Sequence, residues 1–496
     1  MKCTYGLVVL LAPVLAFAQA AAATSPEHAE PVNAVHLPDT KAARLFGEWM
    51  NMCRAPNTQQ MEKWLTANLS ADTEKHVSVP KLAQMDVDRC KDNGGLRLVN
   101  IIQSDAHSIT ALTNGVKSND WLEVHFVTND AGRIDRYFMP YTTPLESSLP
   151  KDLDDAAIAR EISAVVANKS RAGLFSGTVV VARGTQIIAS ANGGYADRAK
   201  KTPLTSSTQF TLASMGKMFT AAAIGQLVDQ KKISFDDTVG KFFPDYPNQT
   251  VRNKVTVGML LSHTSGMGDF LDNRTPDMMK YGVKRAAQFM PLYDKDEPTF
   301  APGTSWSYSN AGLALAGAIV EKVSGEDYPD YIRKHIFAAA GMTESDPNNV
   351  PYAGPKVVTP YTKMTEKGPS DTWHEAERDI GSPAGGAIST ADDLVRFANA
   401  LRTGKLESDA AFGQMIKPRS NSFGDEKYGY AMQIQDVYGR TVVGHSGGFP
   451  GVNTELSMVL GSPYTIVILA NQDPPAAHIL GETVVALIVE KAKSGK

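Results

Sequence analysis

Hydrophobic residues in the first third of the chain follow a helical spacing and then a strand spacing. Leu45, Trp49 and Cys53 recur on one helical face, and Met61 and Leu65 continue the pattern in a second helix. Four β-rich runs follow, at 96–102, 108–113, 121–127 and 133–138. Helices followed by antiparallel strands predict a small α+β domain over residues 41–145.

The longer second region has strand patterns at both ends and helical patterns between them. A proline-containing linker at 142–151 leads into a helix, followed by strand-like runs at 177–182 and 186–190. Strand patterns return at 428–433, 441–443, 455–459 and 464–469, before a closing helix at 476–493. We predict an α+β domain over 150–496, with an antiparallel sheet flanked by helices and interrupted by a helical insertion.

The N-terminus has the pattern of an export signal. Lys2 precedes the apolar run 7–16, which is too short to span a bilayer, and Ala18 and Ala20 suit a cleavage site. We therefore predict a signal peptide over 1–20, a disordered leader over 21–40 and a periplasmic or secreted protein without a stable membrane anchor after cleavage. A retained N-terminal anchor is the alternative.

Charge is balanced along the chain. The formal net charge is −4, from 49 Lys and Arg and 53 Asp and Glu residues, and neither sign is concentrated in a run. This balance argues against a nucleic-acid partner and favours a small-molecule or short-peptide substrate. Histidine spacing in the first region does not suit a metal, and neither a metal nor an organic cofactor is expected. The oligomeric state cannot be read from these patterns.

Cys53 and Cys90 are the cysteines that remain after the predicted cleavage. In an exported protein a disulfide between them is permitted, and closing that loop would stabilise the first domain by about 4 kcal/mol. Two buried free thiols fit the sequence equally well, because the distance between the side chains is not encoded in their spacing.

Ser214 and Lys217 form a Ser-x-x-Lys pair that opens an apolar helix. One helical turn brings both side chains to one face, where the lysine can take the proton of the serine. The same spacing occurs at 78–81 and 148–151, but a proline immediately before each lysine disfavours that geometry. Ser214 is therefore the predicted nucleophile and Lys217 its base.

Tyr308 and Asn310 form a Tyr-x-Asn motif, and Tyr308 is the predicted second base. The same spacing at 246–248 contains a proline. Asn310 is predicted to orient the substrate or Lys217.

A third motif, His445-Ser446-Gly447, lies in what the pattern indicates is an edge strand. We predict that these three residues bind the substrate. Glycines let the backbone approach a bound carbonyl, so the N–H groups of Gly448 and Ser214 are the predicted oxyanion hole.

The three motifs, in this order, resemble the class C β-lactamase and penicillin-binding-protein-like serine hydrolases, whose relatives include family VIII esterases, D-aminopeptidases and D-alanyl-D-alanine carboxypeptidases. Segments 260–267, 302–312 and 384–394 agree, and the resemblance covers about residues 155–490. It implies a β-lactamase/transpeptidase-like fold, an acyl-enzyme on Ser214 and proton transfer by Lys217 and Tyr308. His263, in the first of these segments, is expected to pack rather than to act as a catalytic histidine.

The first domain resembles the small cone-shaped domains of the nuclear-transport-factor-2-like (NTF2-like) type, through its order of helices and then strands and its ending at 132–144. Its role is not indicated.

The sequence departs from the β-lactamase pattern at His445, where a lysine or arginine is usual. Histidine is mostly neutral at pH 7, so a permanent cation for a substrate carboxylate is missing. The sequence therefore favours a hydrolase of esters or amides, with D-amino-acid peptides and β-lactams among the candidate substrates. The alternative is a non-catalytic binding or scaffold protein, which would be free to lose Lys217 or Tyr308.

Overall fold

The computed structural model describes residues 35–494 except 276–277, 279–282, 348–355, 366–367, 376–380 and 423–425. The predicted signal peptide and most of the predicted leader lie outside these residues. Among the described residues, no helix combines the length and the hydrophobicity of a membrane span. Over this part, the chain separates into compact units on either side of the bond between Tyr141 and Thr142.

The first unit consists of helices followed by an antiparallel sheet. The helices are α1 (Lys41–Arg54), α2 (Thr58–Asn68), α3 (Ala71–His76) and α4 (Val79–Asn93). The strands are β1 (Leu96–Ser104), β2 (Ser108–Gly115), β3 (Trp121–Thr128), β4 (Ile134–Phe138) and β5 (Tyr141–Thr142). Strands β1 to β4 pair in sequence order, as short connections favour. The resemblance of this unit to NTF2-like cones stays a prediction.

A disulfide joins the first and last helices of this unit. Cys53 on α1 and Cys90 on α4 are fully buried and bonded, with their Cα atoms 5.0 Å apart. The bond closes a sequence separation of 37 residues. The sequence left open a disulfide or two buried free thiols, and the structure contains the disulfide.

The second unit begins with α5 (Asp155–Arg171), β6 (Gly177–Arg183) and β7 (Gln186–Gly193). The helices of the insertion are α6 (Lys217–Asp229), α7 (Val239–Phe242), α8 (Gln249–Lys254), α9 (Val257–Leu261), α10 (Asn310–Ser324), α11 (Tyr328–Tyr331), α12 (Ala338–Ala340), α13 (Ala391–Arg402) and α14 (Asp409–Met415). Short strands accompany them: β8 (Phe210–Thr211), β9 (Tyr361–Thr365), β10 (Gly368–Glu375) and β11 (Ile388–Ser389). The chain continues through β12 (Ser420–Asn421), β13 (Lys427–Tyr428), β14 (Gln433–Val437), β15 (Arg440–Phe449), β16 (Val452–Val459), β17 (Tyr464–Ala470) and α15 (Ala476–Ser494).

An antiparallel sheet forms the middle layer of the second unit. Its strand order is β12-β13-β14-β15-β16-β17-β6-β7, so the last strand of the chain pairs with the first strand of the unit. Every residue of β17 is buried, because both faces of the sheet are covered. Val467 and Leu469 pack into the core of the insertion, whereas Ile466 and Ile468 pack with α5 and α15. The predicted sheet with flanking helices and a helical insertion is confirmed.

The strand predicted at 428–433 is interrupted. β13 ends at Tyr428 and β14 begins at Gln433, with a turn between them in which Ala431 has a φ of 51°. The N–H groups of Tyr430 and Ala431 donate to Met415 and Leu261 in the insertion, at 2.8 and 2.9 Å. The N–H groups of Tyr430 and Ala431 therefore bind to the insertion instead of a neighbouring strand, and the N–H of Gly429 closes the turn on the Met432 carbonyl oxygen.

The strand that carries His445 is an interior strand, not the edge strand predicted. β15 lies between β14 and β16. β14 pairs with β15 from Arg440 to Gly444, whereas β16 pairs with it as far as Phe449. The half of β15 that carries the third motif therefore extends past the end of β14.

We expect that replacing both Cys53 and Cys90 by serine destabilises the first unit by about 4 kcal/mol, because the unfolded chain regains the freedom of the closed loop. Hydrogen exchange of the full chain would measure this as a lower opening free energy for amides within 41–141. Amides of β6 and β17 in the second unit are the internal control and should keep their protection. Unchanged exchange in the first unit would contradict the assigned role of the disulfide.

Candidate active site

Ser214 lies in a tight turn immediately before α6. The turn spans Ala213–Gly216, and Ala213 adopts a left-handed φ of 48°. Two backbone hydrogen bonds hold it, from Gly386 N–H to Ala213 O at 2.9 Å and from Leu212 N–H to Ala387 O at 3.1 Å. A non-glycine residue keeps such a conformation only when its surroundings enforce it. The turn leaves Ser214 partly exposed at the start of a buried helix.

Lys217 is fully buried one turn after the serine. Its Nζ lies 3.0 Å from Ser214 Oγ and 2.8 Å from Asn310 Oδ1, and it also donates to the carbonyl oxygen of Ala384. The amide and carbonyl oxygens can only accept hydrogen bonds. In its neutral form the amine therefore gives both N–H groups to Asn310 and Ala384, which leaves its lone pair for the Ser214 hydroxyl.

Asp269 fixes the orientation of Asn310. Asn310 Nδ2 donates to Asp269 Oδ2 at 2.6 Å, so the amide oxygen must face Lys217. Asp269 is exposed, and its other carboxylate oxygen accepts the N–H groups of Phe270 and Leu271. The roles of Asp269 and Ala384 were not predicted from the sequence, although each residue lies in or just beyond a segment that supports the family resemblance.

Tyr308 is the second residue that contacts the Ser214 side chain, and it is partly exposed. Its phenol is hydrogen-bonded to the Ser214 side chain, and its ring centre lies 4.7 Å from Lys217 Nζ. Burial raises the pKa of Tyr308, and the Asp269 carboxylate adds to the rise, whereas the hydrogen bond to Ser214 opposes it. The phenol is therefore protonated at neutral pH and positioned to donate a proton.

The third motif packs closely against the turn that carries Ser214. A Cβ on Gly447 would overlap the carbonyl oxygen of Leu212 and lie 3.2 Å from the Cβ of Ala213. Thr454 Oγ1, on the neighbouring strand, donates to the same Leu212 oxygen at 2.8 Å. Glycine at 447 thus lets β15 approach the nucleophile. The oxyanion hole assigned to Gly448 and Ser214 stays a prediction.

Ser446 is partly buried, and its N–H donates to Gln433 Oε1 at 2.6 Å.

His445 points into the protein, although the sequence predicted that it binds the substrate. Its side chain is 4% exposed, with Nδ1 2.5 Å from Ser446 O and Nε2 2.7 Å from the Tyr428 hydroxyl. Burial, together with a smaller effect of positive charge on Lys217, lowers the pKa of His445 to about 3, although the hydrogen bond to Ser446 opposes the shift. The ring is therefore neutral at pH 7. Both of its nitrogens are hydrogen-bonded within the protein, one to Tyr428 and one to Ser446.

His263 is fully buried and shares the same tyrosine. Its Nε2 lies 3.1 Å from the Tyr428 hydroxyl, and its Nδ1 accepts the Ser309 N–H at 3.1 Å. Burial, followed by the Lys217 charge, holds the pKa of His263 well below its ordinary value. These contacts occupy both ring nitrogens, so His263 does not serve as a base for Ser214.

The Ser-x-x-Lys spacing at 148–151 and the Tyr-x-Asn spacing at 246–248 do not form such a site. Ser148 donates to the carbonyl oxygen of Leu145, and Lys151 pairs with Glu490 at 2.8 Å. Tyr246 is a buried core residue.

A serine hydrogen-bonded to a buried lysine and a tyrosine, in the turn before a buried helix, is the arrangement expected of a serine hydrolase. The model of the Beta-lactamase family matches residues 158–490. The chain belongs to this family, which confirms the superfamily that the three motifs indicated.

Penicillin-binding protein 4* of Bacillus subtilis (strain 168) is 31% identical to this chain over 314 residues, covering 60% of this chain and 68% of the relative. A D-aminopeptidase of Cereibacter sphaeroides (strain ATCC 17029) is 23% identical over 348 residues, covering 64% and 61%. The crystal structure of a penicillin binding protein from Bacillus halodurans superposes with a TM-score of 0.55 and 30% identity, covering 66% of this chain and 98% of that one.

Gly447→Ala is expected to push the end of β15 away from the turn at Ser214, because the new Cβ would overlap the Leu212 carbonyl. Displacing one oxyanion donor costs about 3–4 kcal/mol, or roughly a 100- to 1,000-fold loss in kcat. The measurement is kcat for a short-chain p-nitrophenyl ester.

Gly413→Ala is the matched control, because a Cβ on Gly413 in α14 meets nothing within 4 Å. Its kcat should equal that of the wild type. A Gly447→Ala variant with full kcat would show that the approach of β15 to the turn is unimportant for catalysis.

Proposed function

We propose that the protein is an exported hydrolase that forms an acyl-enzyme on Ser214 and acts on small esters or amides. The observation that carries the proposal is the 3.0 Å contact between Ser214 Oγ and the buried amine of Lys217. The disulfide between Cys53 and Cys90 supports export, because such bonds persist in oxidising compartments.

Acylation begins when Ser214 Oγ attacks the substrate carbonyl carbon and its proton passes to the lone pair of Lys217. The carbonyl oxygen becomes an oxyanion, which the N–H groups of Gly448 and Ser214 would stabilise. The bond to the leaving group then breaks, and the leaving alkoxide or amine takes a proton from the Tyr308 phenol. Proton transfer from Lys217 to Tyr308 restores the phenol, so the serine proton ends on the leaving group.

Deacylation repeats these steps with water as the nucleophile. Water attacks the acyl carbon and gives a proton to the same Lys217 and Tyr308 pair, and Ser214 recovers a proton as the acid product leaves. Asn310 and Ala384 contribute by keeping the lysine lone pair directed at Ser214 in both half-reactions.

The neutral, inward-facing His445 favours substrates that do not depend on a carboxylate for binding. The names of the relatives include a D-aminopeptidase and penicillin-binding proteins. D-amino-acid amides and short peptides are therefore candidate substrates beside simple esters, and β-lactams are candidate slow substrates.

Ser214→Ala is expected to abolish hydrolysis of a short-chain p-nitrophenyl ester and labelling by a fluorescent fluorophosphonate, because no other atom can form the acyl-enzyme. The fold should survive, since Ser214 is partly exposed and contributes little packing. Ser148→Ala, at a Ser-x-x-Lys spacing without the catalytic geometry, is the matched control and should keep full activity. Substantial hydrolysis by Ser214→Ala would end the assignment.

The inference that the third motif provides no cation for a substrate carboxylate can be tested with a cephalosporin and its methyl ester. These two substrates differ in one carboxylate charge. We expect kcat/KM values within about 3-fold of each other, because the buried His445 offers no cation. A protein hydrogen bond to a charged group contributes about 1.5–3 kcal/mol, or roughly 10- to 150-fold. A preference of about 10-fold or more for the free acid would refute the inference.

A further inference from the structure

We propose that Tyr428 is a positioning residue that holds His263 and His445 in single, opposite tautomers and so ties the start of α10, just after Tyr308, to the strand of the third motif. The proposal rests on the acyl-enzyme function given above. It assigns a role to three buried polar side chains that contribute no atom to proton transfer from Ser214.

A continuous line of hydrogen bonds runs through these side chains. It starts at the N–H of Ser309 and passes through His263, the Tyr428 hydroxyl and His445 to the carbonyl oxygen of Ser446. The successive distances are 3.1, 3.1, 2.7 and 2.5 Å. Tyr428 is 1% exposed, so water does not replace these partners.

The direction of the line is fixed at both ends. A backbone N–H can only donate, so Nδ1 of a neutral His263 must accept and its Nε2 must carry the proton. The Tyr428 oxygen accepts from that Nε2–H, which leaves the Tyr428 O–H to donate to His445 Nε2. The proton of His445 is then on Nδ1, which donates a hydrogen bond to the Ser446 carbonyl oxygen, a group that can only accept. When both imidazoles are neutral, a single arrangement of protons satisfies every donor and acceptor along the line.

The groups that face the line keep both rings neutral. Burial lowers the pKa of His263 and of His445, and positive charge on Lys217, when it is protonated, lowers both further. Burial, with smaller effects from Tyr308 and Glu426, holds the pKa of Tyr428 well above its ordinary value, so its O–H remains a donor.

The line connects two parts of the active site that are far apart in sequence. Ser309 follows Tyr308, whose ring lies against His263 with centres 4.3 Å apart. Ser446 precedes Gly447, which contacts the turn of the nucleophile. Fixing the two imidazoles therefore fixes the position of the Tyr308 phenol relative to the end of β15.

Tyr428→Phe keeps the ring and removes the shared hydroxyl, which leaves Nε2–H of His263 and Nε2 of His445 without a partner. A buried unsatisfied group costs about 1–3 kcal/mol. We expect kcat for a neutral p-nitrophenyl ester to fall about 10-fold or more, with KM within about 3-fold of wild type. Tyr430→Phe, whose ring lies against Phe235 at 4.6 Å, is the matched control and should keep wild-type kcat.

The pH profile separates positioning from general loss of packing. In the wild type His445 does not titrate between pH 5 and 8, because its pKa is about 3. Protonation of His445 Nε2 deprives the Tyr428 O–H of its acceptor, which disfavours the protonated ring in the wild type. Tyr428→Phe removes that O–H, so the pKa of His445 rises in the variant. Activity of the variant should therefore fall at a higher pH on the acid side than activity of the wild type. Identical acid limbs, or an unchanged kcat, would overturn the proposal.

The tautomers can be read directly in the wild type by 15N NMR of the histidine rings, with His263→Gln and His445→Gln for assignment. We expect the proton on Nε2 of His263 and on Nδ1 of His445, and any other pair would overturn the proposal. This readout does not require a folded Tyr428 variant. It is also independent of activity, so absence of fluorophosphonate labelling in the wild type would refute the proposed function and leave the tautomer test intact.

Discussion

Burial of the Lys217 amine is the constraint on which the site depends. The side chain is fully buried, and an uncompensated charge there would cost several kcal/mol. Asn310 and the carbonyl of Ala384 provide the compensating acceptors, and they come from segments about 90 and 170 residues further along the chain. The insertion must therefore bring α6, the start of α10 and the loop before β11 together for the lysine to be buried. The same contacts direct its lone pair to Ser214, so the requirements of folding and of catalysis coincide.

Glycines make this convergence sterically feasible. A Cβ on Gly385 would lie 2.9 Å from the Ala213 carbonyl oxygen, and a Cβ on Gly447 would overlap that of Leu212. Two distant segments thus close directly on the backbone of the turn before the nucleophile. Their contact, together with the hydrogen bonds to that turn, maintains the left-handed conformation of Ala213. A side chain at Gly447 would push β15 away from this turn, and a side chain at Gly385 would push away the loop before β11.

The sequence predicted what local spacing and strong periodicity encode. Ser214 and Lys217 are one helical turn apart, so their contact follows once a helix is assumed, and the buried strands carry continuous apolar runs. It missed Asp269, which contacts Asn310 across 41 positions, and Ala384, which contributes a backbone oxygen that any residue type supplies. It also misjudged His445, because the direction of that ring depends on the contact with Tyr428, 17 positions away. Long-range partners and backbone groups leave little trace in a single sequence.

The two buried histidines also explain why a site with imidazoles nearby uses a lysine base. Either imidazole would have to become a cation in a desolvated environment to accept the serine proton. Burial lowers the pKa of His263 and of His445, so neither ring competes for that proton. Their hydrogen bonds to Tyr428 add a further barrier, since protonation would break the single satisfied arrangement of donors and acceptors. The neutral line of side chains therefore provides rigid support, and it confines proton transfer to Ser214, Lys217 and Tyr308.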